Sequence, residues 1–145
     1  MDPNYTGTAA ATLVVSSAPA TLALGNLLQT YEGAPKAVAV TTNPAGVAIT
    51  VTYDGISNAP IKPGAYAVTA TVANPNYTGT VTAQMTILKA PATVVLSGLS
   101  QTFDGAPKPV SAATLPAGLA VALTYNGSST APTHAGSYAV VATIQ

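Results

Sequence analysis

Residues 80–88 alternate strictly: Val81, Ala83, Met85 and Ile87 fall on one side of an extended chain, with Thr80, Thr82, Gln84 and Thr86 on the other. A period of two is the signature of a half-buried β-strand. Residues 8–15 repeat the pattern, and Val47, Ile49, Val51 and Tyr53 alternate in the same way. Between such runs stand turn signals: Glu32-Gly33, Pro44-Ala45-Gly46, Asp54-Gly55, and later Asp104-Gly105, Pro116-Ala117-Gly118 and Asn126-Gly127. Acid-Gly and Asn-Gly suit turns that need a positive φ, and Pro presets φ for the residue that opens a turn. Strands are expected at 21–24, 36–42, 47–53, 66–72 and 80–88, and again at 93–96, 108–114, 119–125 and 138–144. Ala18-Pro19-Ala20 and Ala90-Pro91-Ala92 read as short linkers, because Pro ends a strand. No stretch shows a convincing 3.6-residue period.

The strands recur because the chain repeats itself. Gln101-Thr102-Phe103-Asp104-Gly105-Ala106-Pro107-Lys108 restates Gln29-Thr30-Tyr31-Glu32-Gly33-Ala34-Pro35-Lys36 at an offset of 72. Pairing Pro3–Ala73 with Pro75–Gln145 needs no gap, and 37 of 71 pairs are identical. A repeat fixes the architecture before any other consideration. About six or seven short strands per 72-residue unit predict an all-β fold of two tandem, small, Ig-like β-sandwich modules, with a β-grasp-like arrangement as the alternative.

Composition narrows the function. Only 6% of residues are charged, against roughly a quarter in ordinary soluble domains, and the net charge is zero with no Arg. Nucleic acid and anionic membrane both need clustered cations, so neither is an expected partner. No run of 18 apolar residues is present, so no membrane insertion is expected. With no Cys in 145 residues there is neither a disulfide framework nor thiol chemistry.

Little suggests catalysis. His134, the single His, stands where the first copy has Lys62, and reads as a surface-loop residue. The acids Asp2, Glu32, Asp54 and Asp104 are scattered, and a Ca²⁺ loop needs several carboxylates together. No enzyme activity, metal or cofactor is expected. One constellation carries a chemical alternative. Each module has one Lys, Lys36 or Lys108, one acid, and Asp54 or Asn126 at matching positions, the set from which a Lys–Asp or Lys–Asn isopeptide bond could form. The competing reading is a solvent-exposed Lys and a turn residue before Gly.

The aromatics Tyr31, Tyr53 and Tyr66 recur as Phe103, Tyr125 and Tyr138. Flat rings can stack on sugars, but recurrence in every copy reads first as a set of core plugs with hydroxyls at the rim, like a tyrosine corner. Gly33, Gly55, Gly64, Gly105, Gly127 and Gly136 are expected to be backbone requirements of turns.

Several of these motifs resemble one family. Thr30-Tyr31-Glu32-Gly33-Ala34-Pro35-Lys36, Thr52-Tyr53-Asp54-Gly55, Thr124-Tyr125-Asn126-Gly127, Ala135-Gly136-Ser137-Tyr138-Ala139-Val140 and Pro75-Asn76-Tyr77-Thr78-Gly79 look like the YDG/MBG-type, bacterial Ig-like repeats. The resemblance implies an extracellular bacterial surface protein and a stalk or spacer role. The alternative is an adhesin module that binds glycan or a host surface protein.

The family-like frame runs from Ala18, so residues 18–90 are a complete module. Residues 91–145 are then a second module lacking its final strand, and residues 1–17 an orphan final strand. Met1 falls inside the repeat, as expected of an excised piece of a longer array. A module short of one strand and a chain carrying that strand elsewhere predict self-partnership: head-to-tail strand donation into the next molecule, giving a filament. If the frame is instead shifted, each 72-residue unit is self-contained and no strand is exchanged.

Overall fold

The computed structural model describes Asn4 and residues 6–145. Met1, Asp2, Pro3 and Tyr5 lie outside the described residues, and with them the start of the orphan strand expected over residues 1–17. The chain is all-β, with no helix among the described residues, and divides into two compact units, 1–90 and 91–145.

The first unit holds β1 (Ala18–Pro19), β2 (Thr21–Gly25), β3 (Leu28–Thr30), β4 (Ala39–Asn43), β5 (Ile49–Tyr53), β6 (Gly64–Val72), β7 (Tyr77–Thr78) and β8 (Thr80–Leu88). β2 and β4 make an antiparallel ribbon. β3, β8, β6 and β5 make a four-stranded sheet in that order. Within it β5–β6 and β6–β8 are antiparallel, whereas β3 runs parallel to β8. β8 carries the alternation written in its sequence: Met85 and Ile87 are fully buried, while Thr80, Thr82 and Gln84 are exposed. With Tyr53 and Val68 they form the core, and Leu24, Leu27, Val38, Val51, Ala59 and Tyr66 pack against it.

Ala18-Pro19 is more than a linker. As β1 it pairs in parallel with β7, and Ala18 N–H and Ala20 N–H donate to the carbonyls of Asn76 and Thr78. Pro19 sits between those two donors, where a missing N–H costs no ladder bond. Residues 6–17 form no strand and are exposed throughout. The strand expected at 8–15 is therefore not formed.

The second unit holds β9 (Thr93–Ser97), β10 (Ser111–Leu115), β11 (Val121–Tyr125) and β12 (Val140–Ile144). Its registers restate the first unit at the offset of 72: Thr93 faces Leu115 as Thr21 faces Asn43, and Tyr125 faces Val140 as Tyr53 faces Val68. Among the described residues of this unit, nothing stands where β7 and β8 stand in the first. Two further elements disappear with them. β3 pairs only with β8, so Ser100–Thr102 forms no strand. Gly64–Ala67 also pair only with β8, so β12 begins at Val140 rather than at the expected Tyr138. The expected strands from Lys36 and Lys108 begin instead at Ala39 and Ser111, because the intervening residues bond to loops.

Candidate functional site

Each unit is closed by the same set of hydrogen bonds to its backbone. The Tyr53 hydroxyl accepts Val38 N–H at 3.0 Å, and the Tyr125 hydroxyl accepts Val110 N–H at 3.0 Å. Both rings are buried, so a core plug also anchors the loop before β4 or β10. Gln29 and Gln101 each donate their amide to two carbonyls, Asn26 and Ala37 in one unit, Gly98 and Pro109 in the other. Lys36 N–H and Lys108 N–H donate to the carbonyls of Pro60 and Pro132, both at 2.8 Å. Tyr66 donates its hydroxyl to the Lys62 carbonyl and Tyr138 to that of His134, each four residues upstream, which is the tyrosine-corner geometry.

Tyr31 and Phe103 do not join the core. They are 38% and 61% exposed, in the loop after β3 and in its counterpart. The expectation of core aromatics therefore holds a correction at these two positions: their recurrence marks a surface turn.

Gly33, Gly55, Gly105 and Gly127 have φ between +79° and +86°, where a Cβ is strained. Gly64 and Gly136 differ. Gly64 is close to fully extended and Gly136 has no positive φ. A Cβ at Gly136 would lie 3.4 Å from the Tyr138 ring, so what these two glycines provide is a flat floor beneath the corner tyrosine. Asp54 and Asn126 precede the turn glycines at φ +48°. Their Oδ1 atoms accept the N–H of Ala67 and Ala139 at 2.8 Å, and their own N–H groups donate back to the same two residues. Asx side chains tolerate this backbone region for that reason.

The isopeptide candidates are engaged elsewhere. Lys36 Nζ pairs with Glu32 at 2.7 Å and Lys108 Nζ with Asp104 at 2.6 Å, whereas Asp54 and Asn126 hold backbone N–H groups in exposed turns. The hydrogen bond from Lys108, with a second from Ala106 N–H, holds the Asp104 carboxyl below its ordinary value. No cluster of three or more metal-ligating side chains occurs among the described residues.

The feature with room for a partner is in the second unit. A cleft of about 430 Å³ is lined by Leu99, Gln101, Phe103, Lys108, Val110, Tyr125, His134, Gly136, Tyr138 and Val140, among others. Moved back by 72, six of these positions become Leu27, Gln29, Val38, Tyr53, Tyr66 and Val68, which in the first unit lie around Met85 and Ile87. Leu27 is half-buried there; Leu99 is 65% exposed. The cleft is the position that β8 occupies in its sister module. Sequence reading did not anticipate the parallel β3–β8 contact, the Gln29 bridge or the left-handed Asn26, which leave no periodic signal.

No curated protein and no solved structure is matched by the chain. A family model, that of the MBG domain, matches residues 20–91 and again 92–145, in agreement with the resemblance carried by the Tyr-Asp/Asn-Gly and Gly-x-Tyr motifs. The chain belongs to the MBG domain family and carries two tandem copies of that domain.

Proposed function

We propose that the chain is a spacer segment of a bacterial extracellular surface protein, a stalk of tandem MBG domains. The observation that carries this reading is how the first module ties its two ends together. Its incoming segment pairs in parallel with its outgoing one twice, β1 against β7 and β3 against β8. A pull applied between Ala18 and Leu88 loads both patches in shear, straining their hydrogen bonds together. Ends that paired antiparallel side by side would open one bond at a time. Forced unfolding is governed by the unfolding rate, so this geometry suits a tether.

The repeated side chains support the same reading. Tyr53, Tyr66, Tyr125 and Tyr138 spend their hydroxyls on their own backbone. The exposed rings of Tyr31 and Phe103 are what favours the second reading, an adhesin module for glycan or a host surface protein.

Single-molecule extension of the full chain between handles tests the proposal. The first module is expected to yield in one step and release a contour of roughly 3.3–3.6 Å per residue, less its folded length. Gradual yielding at low force, or saturable binding on a glycan array, would overturn the spacer reading.

A further inference from the structure

We infer that Asn126 is a site of spontaneous covalent modification, deamidated through the backbone nitrogen of Gly127, and that the hairpin holding it withholds the reaction until β11 and β12 part. The inference is independent of the spacer reading and gives the second module a chemical property of its own.

The two reacting groups are neighbours in the chain. Seven asparagines occur, and Asn126 is the single one followed by Gly. Asn43 and Asn74 precede Pro, whose nitrogen has no hydrogen to lose. No side chain flanks the nitrogen of Gly127, and nothing lies within 4 Å of where its Cβ would be. Both residues are exposed, and Gly127 N–H donates to no group among the described residues, so water and hydroxide reach it.

The reaction needs nothing else. Once hydroxide takes the Gly127 amide proton, the nitrogen attacks Asn126 Cγ. An N–Cγ bond forms, the Cγ–Nδ2 bond breaks, and ammonia leaves with a proton from water. The product is a five-membered succinimide, which water then opens. Cleavage of the new N–Cγ bond restores the ordinary main chain with Asp at 126. Cleavage of the bond from the same nitrogen to the original carbonyl carbon gives isoaspartate, whose main chain runs through Cβ and Cγ. No atom is oxidised or reduced, and water and hydroxide are the co-reactants.

The turn decides when this can happen. Asn126 and Gly127, at φ +48° and +86°, are the central residues of a hairpin loop closed by Tyr125 and Ser128. Those two exchange N–H to C=O bonds of 2.7 and 3.0 Å. Ala139 grips Asn126 twice: it accepts Asn126 N–H at 2.8 Å and donates its own N–H to Asn126 Oδ1 at 2.8 Å. Oδ1 belongs to the carbon under attack, so while that bond holds, Cγ is not free to rotate onto the Gly127 nitrogen. Parting the β11–β12 end releases both bonds together. Conversion therefore accumulates with the time the hairpin has spent open.

The sister module shows the fate of the product. Asp54 stands where Asn126 stands, at the same φ of +48°. Its Oδ1 accepts Ala67 N–H at 2.8 Å, and its own N–H donates to the Ala67 carbonyl. Asp at 126 thus finds every bond it needs, and the module refolds with one more negative charge on a chain of net charge zero. Isoaspartate adds a main-chain carbon to a two-residue loop, which takes Tyr125 and Ser128 out of register.

Peptide mapping of the full chain by mass spectrometry tests the inference, after incubation in native buffer and in guanidinium at one mildly alkaline pH and one temperature. In guanidinium, Asp and isoaspartate are expected at 126 ahead of every other asparagine, and faster as pH is raised. In native buffer the rate is expected to fall by about tenfold or more, the factor set by hairpin opening. Gly127→Ala should slow conversion in guanidinium, where folding plays no part. Asn126→Asp should leave the melt of the second module unmoved at neutral pH, whereas the purified isoaspartate form should melt lower. No conversion at 126 in guanidinium, equal rates in the two buffers, or a lowered melt for Asn126→Asp would each overturn the inference.

Discussion

The hydroxyl of Tyr53 accepts the backbone N–H of Val38 at 3.0 Å from a ring that is almost wholly buried. One side chain thus fills the core and fixes the loop that leads into β4. Phe at this position keeps the ring and strands the Val38 N–H in a half-buried place. Tyr53→Phe is expected to cost about 1–3 kcal/mol, the penalty of an unsatisfied donor. Tyr125→Phe should do the same in the second module, where Tyr125 accepts Val110 N–H. Urea titration of each variant checks both, and an unshifted midpoint would show that water replaces the hydroxyl.

Gly79 is set by a close approach rather than by its φ. A Cβ there would collide with the Ala20 carbonyl oxygen and come within 2.9 Å of Leu22 Cδ1. The carbonyl belongs to a backbone that is already hydrogen-bonded through Ala20 N–H to Thr78, so it has little freedom to yield. Gly79→Ala is expected to destabilise the first module by about 1–3 kcal/mol, an overpacking cost. The melting transition of the first module should fall, with the second module unaffected.

Asp104 gives the second module a pH dependence. Its carboxyl is held below the usual 3.8, first by the hydrogen bond from Lys108 and then by that from Ala106 N–H. A carboxyl whose folded value lies below its unfolded value binds protons more readily when unfolded. Its contribution to stability is therefore complete above the unfolded value and is lost as pH falls through the folded one. The group is fully exposed, so the effect is small. Thermal melts of the parent chain and of Asp104→Asn should differ at pH 7, in favour of the parent, and converge as the pH drops below about 4. A difference that persists at pH 2 would assign the effect to something other than ionisation.

Much of this architecture is legible because the repeat doubles every signal. β2–β4 and β9–β10, and β5–β6 and β11–β12, keep the same registers at one offset, and their turns are spelled by Asp54-Gly55 and Asn126-Gly127. What escapes sequence reading is structure that depends on a distant partner. Leu28-Gln29-Thr30 is a strand and Ser100-Gln101-Thr102 is not, although two of three letters agree. The difference lies in β8, present beside one and absent beside the other. Recurrence also misleads: Tyr31 and Phe103 repeat as faithfully as Tyr53 and Tyr125 yet stay at the surface, because a repeated turn conserves its residues as well as a repeated core does. The lining of the cleft emerges only once β6 and β8 are seen to share Tyr66, Val68, Met85 and Ile87.

Two glycines of the second module separate backbone strain from crowding. Gly127 has φ +86°, and no atom lies within 4 Å of where its Cβ would be. Space is therefore no obstacle, and the whole cost of Gly127→Ala is conformational, about 1–2 kcal/mol. Gly136 presents the opposite case: φ is not positive, and a Cβ would rest against the Tyr138 ring at 3.4 Å, an ordinary contact. Ala at that position also narrows the unfolded ensemble, which favours folding by about 0.4–1 kcal/mol. Gly127→Ala is thus expected to lower the melting temperature of the second module by several degrees, and Gly136→Ala to leave it unchanged or raise it slightly. Gly136→Val should reverse that sign, since its γ-methyl groups reach into the ring, and Tyr138→Ala should relieve the penalty in the double variant. Equal losses at Gly127→Ala and Gly136→Ala would refute the distinction between the two.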